Sequence, residues 1–168
     1  MNLQSSAISS PVAMRLSDII TKERILVDRA GALPSKAAAL QALAGLLGSA
    51  VSAPEEEVLA LLLEREQLQS TGIGDGVAIP HSALEHAEAQ AGALLLFPKG
   101  IDFDAIDGQP VHIVFGVVGP KRATGEHLRT LARISRLLRD ESTRRQLANA
   151  ESPKFAFDLI EAHDQAAK

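Results

Sequence analysis

Residues 93–118 read ALLLFPKGIDFDAIDGQPVHIVFGVV. The runs 93–97 and 111–118 are rich in Leu, Val, Ile and Phe, and short apolar runs of this kind are typical of strands. The segment between them is rich in glycine and aspartate, which indicates a turn. We therefore predict two strands separated by a turn.

Upstream, a short strand is predicted within residues 24–28, where three apolar residues are consecutive. Ser35 is placed to cap a helix whose apolar residues recur at helical spacing. The residues predicted to face the core are Leu40, Leu43, Ala44, Leu47 and Val51.

Pro54 is predicted to be the first residue of a second helix, with three glutamates in the first turn, where the helix dipole favours anions. Val58, Leu61 and Leu62 form its predicted core stripe, and Arg65 continues that stripe.

Downstream of the two strands, Thr124 is predicted to cap a helix, and two more helices are predicted over 143–150 and 152–163. The predicted buried face of the first helix is Leu128, Leu131, Ile134 and Leu138. Strands interleaved with helices favour an α/β or α+β fold with a central sheet. We expect residues 1–14, which are polar and serine-rich, to be a flexible leader, and residues 15–163 to form a single domain.

The composition excludes several classes of function. Cysteine is absent, which excludes disulfides, thiolate nucleophiles and cysteine-ligated zinc. The formal net charge is −4 and 3% of the residues are aromatic. No basic arm or stripe and no aromatic platform is visible, so we expect no binding of nucleic acid. We also expect no membrane span, no secretion signal and a cytoplasmic location.

His81 is a candidate for nucleophilic chemistry. A neutral imidazole is a nucleophile and a base near neutral pH, so it can accept a phosphoryl group and release it again. His81 follows Pro80 directly, after an apolar run and three closely spaced glycines, which predicts an uncrowded position at a strand end. The alternative is an ordinary loop histidine.

His127 and Arg65 are the other candidates. His127 is predicted in the first turn of its helix, on the core side and near free backbone N–H groups that attract anions. The guanidinium of Arg65 matches phosphate oxygens, and its head group is expected near the loop after its helix. The alternatives are a partly buried histidine with a local hydrogen bond and a cation favourably placed at a helix C-terminus.

Other patterns fail on inspection. The glycines of 72–76 are followed by an apolar segment and a proline instead of a helix, which counts against a dinucleotide site. The aspartates of 102–107 lack the spacing and the terminal glutamate of a calcium loop. We therefore expect no cofactor and no metal, and a metal-dependent hydrolase that uses His81 and His127 is a weaker alternative.

Residues 63–81, LEREQLQSTGIGDGVAIPH, closely resemble the phosphorylation-site signature of the mannitol/fructose-type enzyme IIA domains of the bacterial phosphotransferase system. Residues 125–135, GEHLRTLARIS, resemble the second histidine segment of that family. Residues 100–120, GIDFDAIDGQPVHIVFGVVGP, match its turn-and-strand block. The resemblance extends over nearly the whole chain.

The resemblance implies an α/β fold in which a mixed sheet is flanked on both faces by helices. It also implies that His81 accepts the phosphoryl group through Nε2, that His127 is a second active-site histidine and that Arg65 stabilises the phosphate. Two positions depart from the family pattern. Asp75 stands where asparagine is most common, which is expected to weaken anion attraction slightly, and Ser82 stands where glycine is common.

Residues 23–47, ERILVDRAGALPSKAAALQALAGLL, resemble the opening of the nitrogen-related regulatory branch of the family, and we expect no fused IIB or IIC domain. This resemblance implies a phosphoryl carrier, more than a turnover enzyme, with a phosphorylated HPr-like donor. Its implied targets are partners in nitrogen and potassium metabolism, including potassium-transport components and sensor kinases. The alternative is a sugar-specific enzyme IIA that passes phosphate to a separate IIB domain.

Overall fold

The computed structural model describes residues 15–166, and the predicted leader, residues 1–14, lies outside this range. A mixed sheet occupies the centre. Its strands are β1 Ile25–Val27, β2 Gly72–Gly74, β3 Val77–Ala78, β4 His81–Leu84, β5 Ala91–Ile101 and β6 Val111–Pro120. The order is β1-β5-β6-β3-β2, and β4 also pairs with β6. The pairs β1–β5, β3–β6 and β4–β6 are parallel, whereas β5–β6 and β2–β3 are antiparallel.

Helices cover both faces of this sheet. They are α1 Lys36–Val51, α2 Glu55–Leu68, α3 Thr124–Arg139, α4 Glu141–Ala148 and α5 Pro153–Ala166. The helices α1 and α2 share one buried apolar cluster with the sheet, and α3, α4 and α5 share another on the opposite face. The predicted α/β fold is therefore confirmed. Within residues 15–166, no helix has the length and apolar character needed to cross a membrane.

The two long strands carry apolar side chains on both faces. In β5, Leu94 and Leu96 belong to the cluster under α3–α5, whereas Ala93, Leu95 and Phe97 belong to the cluster under α1 and α2. Residues 91–97 of β5 are buried on both faces, which explains why this part of the strand is apolar throughout. Strand β5 extends beyond its predicted run because its pairing with β6 includes Ala91 and Ile101. Strand β6 extends to Pro120 because its last two residues pair with β4.

The cap predicted for α1 is confirmed, because Ser35 Oγ accepts a hydrogen bond from the Ala38 amide at 3.1 Å. Of the predicted core residues, Val51 is only half-buried. Pro54 was predicted to be the first helical residue of α2. It is instead the N-cap, and the helix begins one residue later, at Glu55.

Two predictions for α3 are wrong. Thr124 was expected to cap the helix, but it is the first helical residue, and its Oγ1 donates to the Lys121 carbonyl at 3.2 Å. The cause is a 3₁₀ turn at Lys121–Ala123 that leads directly into the helix. Leu128 was expected to be buried, but it is 60% exposed. The buried stripe runs through Ile134 and Leu138, and Leu128 lies to one side of it.

The last two helices begin near their predicted positions. Asp140 caps α4 by accepting from the Thr143 amide at 2.9 Å, so this helix starts at Glu141, two residues before the predicted boundary. Ser152 accepts from the Phe155 amide at 3.1 Å, at the start of α5.

Candidate functional site

His81 is the first residue of β4, a strand that the sequence analysis did not predict. The chain leaves β3 at Ala78, and the Val117 amide donates to the Pro80 carbonyl at 3.0 Å, so β6 draws this segment into the sheet. His81 then pairs with Val117 in β6. His81 was expected in an uncrowded position at the end of the preceding apolar run, but it begins the next strand and its side chain is half-buried.

One hydrogen bond orients the His81 ring. Its Nδ1 lies 2.7 Å from the Ile79 carbonyl oxygen, which can only accept. Nδ1 therefore carries the proton in this contact, and Nε2 keeps its lone pair. Burial lowers the pKa of His81 below its ordinary value of 6.5, opposed by the bond to Ile79. The neighbouring Arg65 guanidinium lowers this pKa further, whereas Glu66 raises it. The ring is thus neutral and nucleophilic near pH 7.

His127 lies beside His81, with 5.8 Å between the ring centroids and 47° between the ring planes. It belongs to the first turn of α3, as predicted. Its Nδ1 is buried and has no hydrogen-bond partner within residues 15–166. An unsatisfied buried N–H is costly, so this environment favours the proton on Nε2. Burial, and then the proximity of His81, lowers the pKa of His127.

Arg65 is half-buried in the last turn of α2, and its Nη1 donates to the Gln69 carbonyl at 2.8 Å. Its head group therefore lies near the loop after the helix, as predicted. Arg65 and His81 line the same cleft of about 260 Å³, which Ile79 and Leu131 also border. No carboxylate of residues 15–166 pairs with Arg65, so its positive charge stays available to an anion.

The structure thus brings all three predicted site residues together, and their roles remain predictions. Asp75 is exposed in the turn between β2 and β3, at a φ of 59°, and it does not border the His81 cleft. Asparagine and aspartate both suit this left-handed conformation. Ser82 lies in β4 opposite Val118, within ordinary strand pairing.

Residues that sequence reasoning missed lie behind the cleft. Glu66 accepts hydrogen bonds from both the amide and the hydroxyl of Thr71, and it forms an ion pair with Lys36. One signal was present in the sequence. Glu66 lies in the last turn of α2, where the helix dipole disfavours a negative charge. A carboxylate at such a position indicates that it has a specific partner.

Two exposed apolar side chains border the cleft, and a third lies next to His127 in the sequence. Ile73 and Ile106 border it and are 51% and 63% exposed, and the exposed Leu128 follows His127 directly. An exposed apolar rim of this kind is typical of a surface that contacts another molecule.

Helix α3 carries Arg129, Arg133 and Arg136 at helical spacing; Arg129 and Arg136 are exposed and Arg133 is half-buried. The expectation that the chain does not bind nucleic acid stays a prediction. Among residues 15–166, no three His, Asp or Glu side chains are grouped in a way that could hold a metal ion.

The mixed sheet carries a cleft lined by His81 and Arg65, and the ring of His127 lies beside that of His81. Residues 18–163 match the family described as the phosphoenolpyruvate-dependent sugar phosphotransferase system, EIIA 2. The match takes in most of the chain, so the chain belongs to this family, and the resemblance noted in the sequence is confirmed.

Individual relatives agree with this assignment. The nitrogen regulatory protein of Bradyrhizobium diazoefficiens is 37% identical over 147 residues, which are 88% of this chain and 95% of the relative. The PTS system fructose-specific EIIABC component of Bacillus subtilis is 41% identical over 104 residues, which are 62% of this chain and 16% of that longer protein. Among solved structures, the nitrogen regulatory protein IIA-Ntr from Neisseria meningitidis has a TM-score of 0.80 at 31% identity, over 86% of this chain and 98% of that one.

Proposed function

We propose that this protein is a cytoplasmic phosphoryl carrier whose acceptor is Nε2 of His81, within a single domain formed by residues 15–163. The observation that carries the proposal is the hydrogen bond between His81 Nδ1 and the Ile79 carbonyl at 2.7 Å. This bond holds the ring in the tautomer whose Nε2 has a free lone pair. The ring borders a cleft that the Arg65 guanidinium also lines, and no carboxylate of residues 15–166 forms an ion pair with this guanidinium.

The donor in this proposal is a phosphohistidine on an HPr-like protein. His81 Nε2 attacks the phosphorus in line, a new N–P bond forms, and the N–P bond of the donor breaks. The donor imidazole leaves with the electron pair. The proton stays on His81 Nδ1 throughout, where it is donated in the hydrogen bond to the Ile79 carbonyl. The transferred group arrives as an activated phosphoramidate, so the protein has to supply position and charge stabilisation.

Arg65 and His127 supply that charge stabilisation. The guanidinium of Arg65 has N–H groups beyond the one bound to Gln69, and these match phosphoryl oxygens. His127 presents the opposite tautomer from His81, with its proton on Nε2, so it can donate to the same phosphoryl group. One imidazole therefore acts as nucleophile and the other as hydrogen-bond donor.

The transfer is tested with a purified phosphorylated HPr-like donor, by intact mass and peptide mapping. We expect one phosphoryl group per chain, located on His81. His81→Ala should remain folded, since the side chain is half-buried at a strand end, and should take up no phosphate. The matched control is His86→Ala, at an exposed histidine in the loop after β4. Undiminished labelling of His81→Ala would refute the assignment.

We further propose that phosphorylation of His81 regulates partner proteins in nitrogen and potassium metabolism, such as transport components or sensor kinases. Support comes from the relatives of matching length, which are named nitrogen regulatory proteins. A phosphoryl group adds a charge of about −1.5 to −2, within an apolar rim. A partner that docks on this rim would bind the unmodified form more tightly, with an expected swing of about 5–150-fold in affinity.

The second candidate is a sugar-specific enzyme IIA, favoured by the similarity to the fructose-specific component of Bacillus subtilis. Two measurements separate the candidates: the rate of phosphate transfer to purified sugar IIB domains, and the affinity of defined partners for each form. Rapid, stoichiometric transfer to a sugar IIB, without any partner that prefers the unphosphorylated form, would contradict regulation and leave His81 as the carrier.

A further inference from the structure

The loop between α2 and β2 forms one wall of the His81 cleft, and two adjacent side chains hold it. Arg65 binds the Gln69 carbonyl at the start of the loop, at 2.8 Å. Glu66 binds Thr71 at its end, with the Thr71 amide 3.0 Å from Oε2 and the Thr71 hydroxyl bound to the same oxygen. The cleft wall is thus held by neighbouring groups of opposite charge.

From Thr71 a chain of backbone hydrogen bonds leads to the His81 ring. The Thr71 carbonyl accepts from the Ile79 amide at 3.0 Å, and the Ile79 carbonyl oxygen lies 2.7 Å from His81 Nδ1. The carbonyl that orients His81 is therefore held through Thr71 by the carboxylate of Glu66. Each link is short, and each group in the chain has a defined role as donor or acceptor.

Lys36, from the start of α1, neutralises this carboxylate. Its Nζ lies 2.8 Å from Glu66 Oε1, and the Glu66 side chain is only 5% exposed. The ammonium also lies 5.1 Å from the centre of the Phe103 ring and 3.6 Å from the exposed carboxylate of Asp104. A buried carboxylate at a helix C-terminus needs such a partner. Without it, Glu66 would place an unpaired negative charge behind a site for anions.

We propose that Glu66 is a positioning residue for phosphoryl transfer, which fixes the tautomer of His81 through Thr71 and Ile79, and that Lys36 cancels its charge toward the incoming phosphoryl group. This inference rests on the proposed function of His81 as acceptor. Glu66 itself touches neither the phosphoryl group nor the reacting nitrogen.

Glu66→Gln is the direct test. The amide keeps the shape of the carboxylate, but one of its two ends is now a donor. That donor faces either Thr71 or Lys36, both of which are donors themselves, so one contact is lost in either orientation. The expected results are a mixture of His81 tautomers and a fall in phosphorylation rate on the order of tenfold, the effect of losing one charge-assisted hydrogen bond.

The decisive measurement is the tautomer ratio of His81, taken from the chemical shifts of its ring nitrogens in ¹⁵N NMR without any donor protein. The matched control is Glu64→Gln, which makes the same charge change at an exposed position of α2. A shift toward Nε2–H in Glu66→Gln but not in Glu64→Gln supports the proposal. Equal tautomer ratios in the parent and both variants would overturn it.

Lys36→Met tests the charge role separately, because it removes the cation and keeps the aliphatic stem. We expect Lys36→Met to be phosphorylated more slowly than the parent. In the Glu66→Gln background, Lys36→Met should cause no further loss of rate, since no carboxylate remains to be neutralised. If the two substitutions reduced the rate independently, so that their effects multiplied in the double variant, the pairing of Lys36 with Glu66 would be contradicted.

If Glu66→Gln does not fold, Thr71→Val compared with Thr71→Ser tests the positioning role of Glu66, because only valine removes the hydroxyl bound to Glu66. Failure of the parent to be phosphorylated would refute the acceptor role, and the tautomer ratios would still decide the positioning role.

Discussion

At the scale of single residues, the two histidines are in different states although their rings lie 5.8 Å apart. His81 has a carbonyl partner for Nδ1–H, whereas the buried Nδ1 of His127 has no partner within residues 15–166. Local hydrogen bonding therefore leaves a lone pair on Nε2 of His81 and favours a proton on Nε2 of His127. Burial lowers the pKa of both rings, which keeps the pair neutral where two imidazolium ions would repel each other.

Replacing either charge-stabilising residue should slow the transfer without blocking His81. We expect Arg65→Lys and His127→Ala each to reduce the phosphorylation rate by about 10²–10³-fold, since each removes a preorganised group at the phosphoryl position. Lysine keeps the charge of Arg65 but not its planar fork. Stopped-flow transfer from the phosphorylated donor measures the rates, and Arg136→Lys on the outer face of α3 serves as control. Parental rates in both variants would contradict the three-residue site.

The lowered pKa values also predict how stability depends on pH. Below about pH 6.5, the ordinary histidine pKa, the unfolded chain binds protons that the folded His81 and His127 do not. The free energy of unfolding should therefore fall as the pH drops below that value, and this contribution should level off below the folded-state pKa values. Urea unfolding at a series of pH values measures the effect. The double variant His81→Gln, His127→Gln should lose part of the pH dependence, whereas His86→Gln should keep it.

At the scale of elements, short polar contacts decide where helices begin. Ser35 and Asp140 each accept a hydrogen bond from an amide in the first turn of α1 and α4, respectively. The α1 cap was predicted from sequence, because serine before an apolar helical pattern is a direct signal. The start of α3 was not, because a 3₁₀ turn precedes it and its first turn packs beside the His81 strand.

Removal of the α1 cap should destabilise the protein. Ser35→Ala eliminates the acceptor for the Ala38 amide, and the expected loss is about 1 kcal/mol in the free energy of unfolding. Chemical denaturation measures the loss. The matched control is Ser49→Ala, the same change at an exposed position near the end of the same helix, where we expect little change or a slight gain. Equal effects at the two serines would show that the cap contributes nothing.

At the scale of the whole molecule, β6 connects both layers to the candidate site. It pairs with β5, β3 and β4, and it lies between the two apolar clusters. Close packing at its centre depends on Gly116, where a Cβ atom would lie 2.5 Å from Cδ2 of Leu43 in α1. The distance between α1 and the sheet is therefore set by the absence of a side chain at Gly116.

Gly116→Ala should destabilise the fold by about 1–3 kcal/mol, the usual cost of overpacking a core. The physical cause is the contact with Leu43, so the same substitution should cost less in a Leu43→Ala background. Thermal and urea unfolding of the two single variants and the double variant measure this coupling. An equal cost of Gly116→Ala in both backgrounds would place its effect elsewhere in the structure.

Much of the fold was predictable from local sequence. The strands of 93–97 and 111–118 are continuous apolar runs covered on both faces, and burial of such runs dominates whatever surrounds them. The α1 cap and the burial of Leu40, Leu43, Ala44 and Leu47 followed from spacing alone. The exposure of Leu128 could not be predicted in this way, because periodicity shows which side of a helix is buried and not how wide the buried face is. Strand β4 was missed since its four residues form a strand only through pairing with β6.

The same division applies to the candidate site. By itself, the sequence determined the family, through the segment around His81, and it predicted His81, His127 and Arg65 as the site residues. The family resemblance already implied Nε2 of His81 as the acceptor. Only the tertiary structure gave the contacts behind that choice: the Ile79 carbonyl on Nδ1, Glu66 on Thr71, and Lys36 on Glu66. The physical reason is that a tautomer and a charge balance depend on hydrogen-bond distances between groups far apart in the chain, which local patterns of apolar and polar residues do not encode.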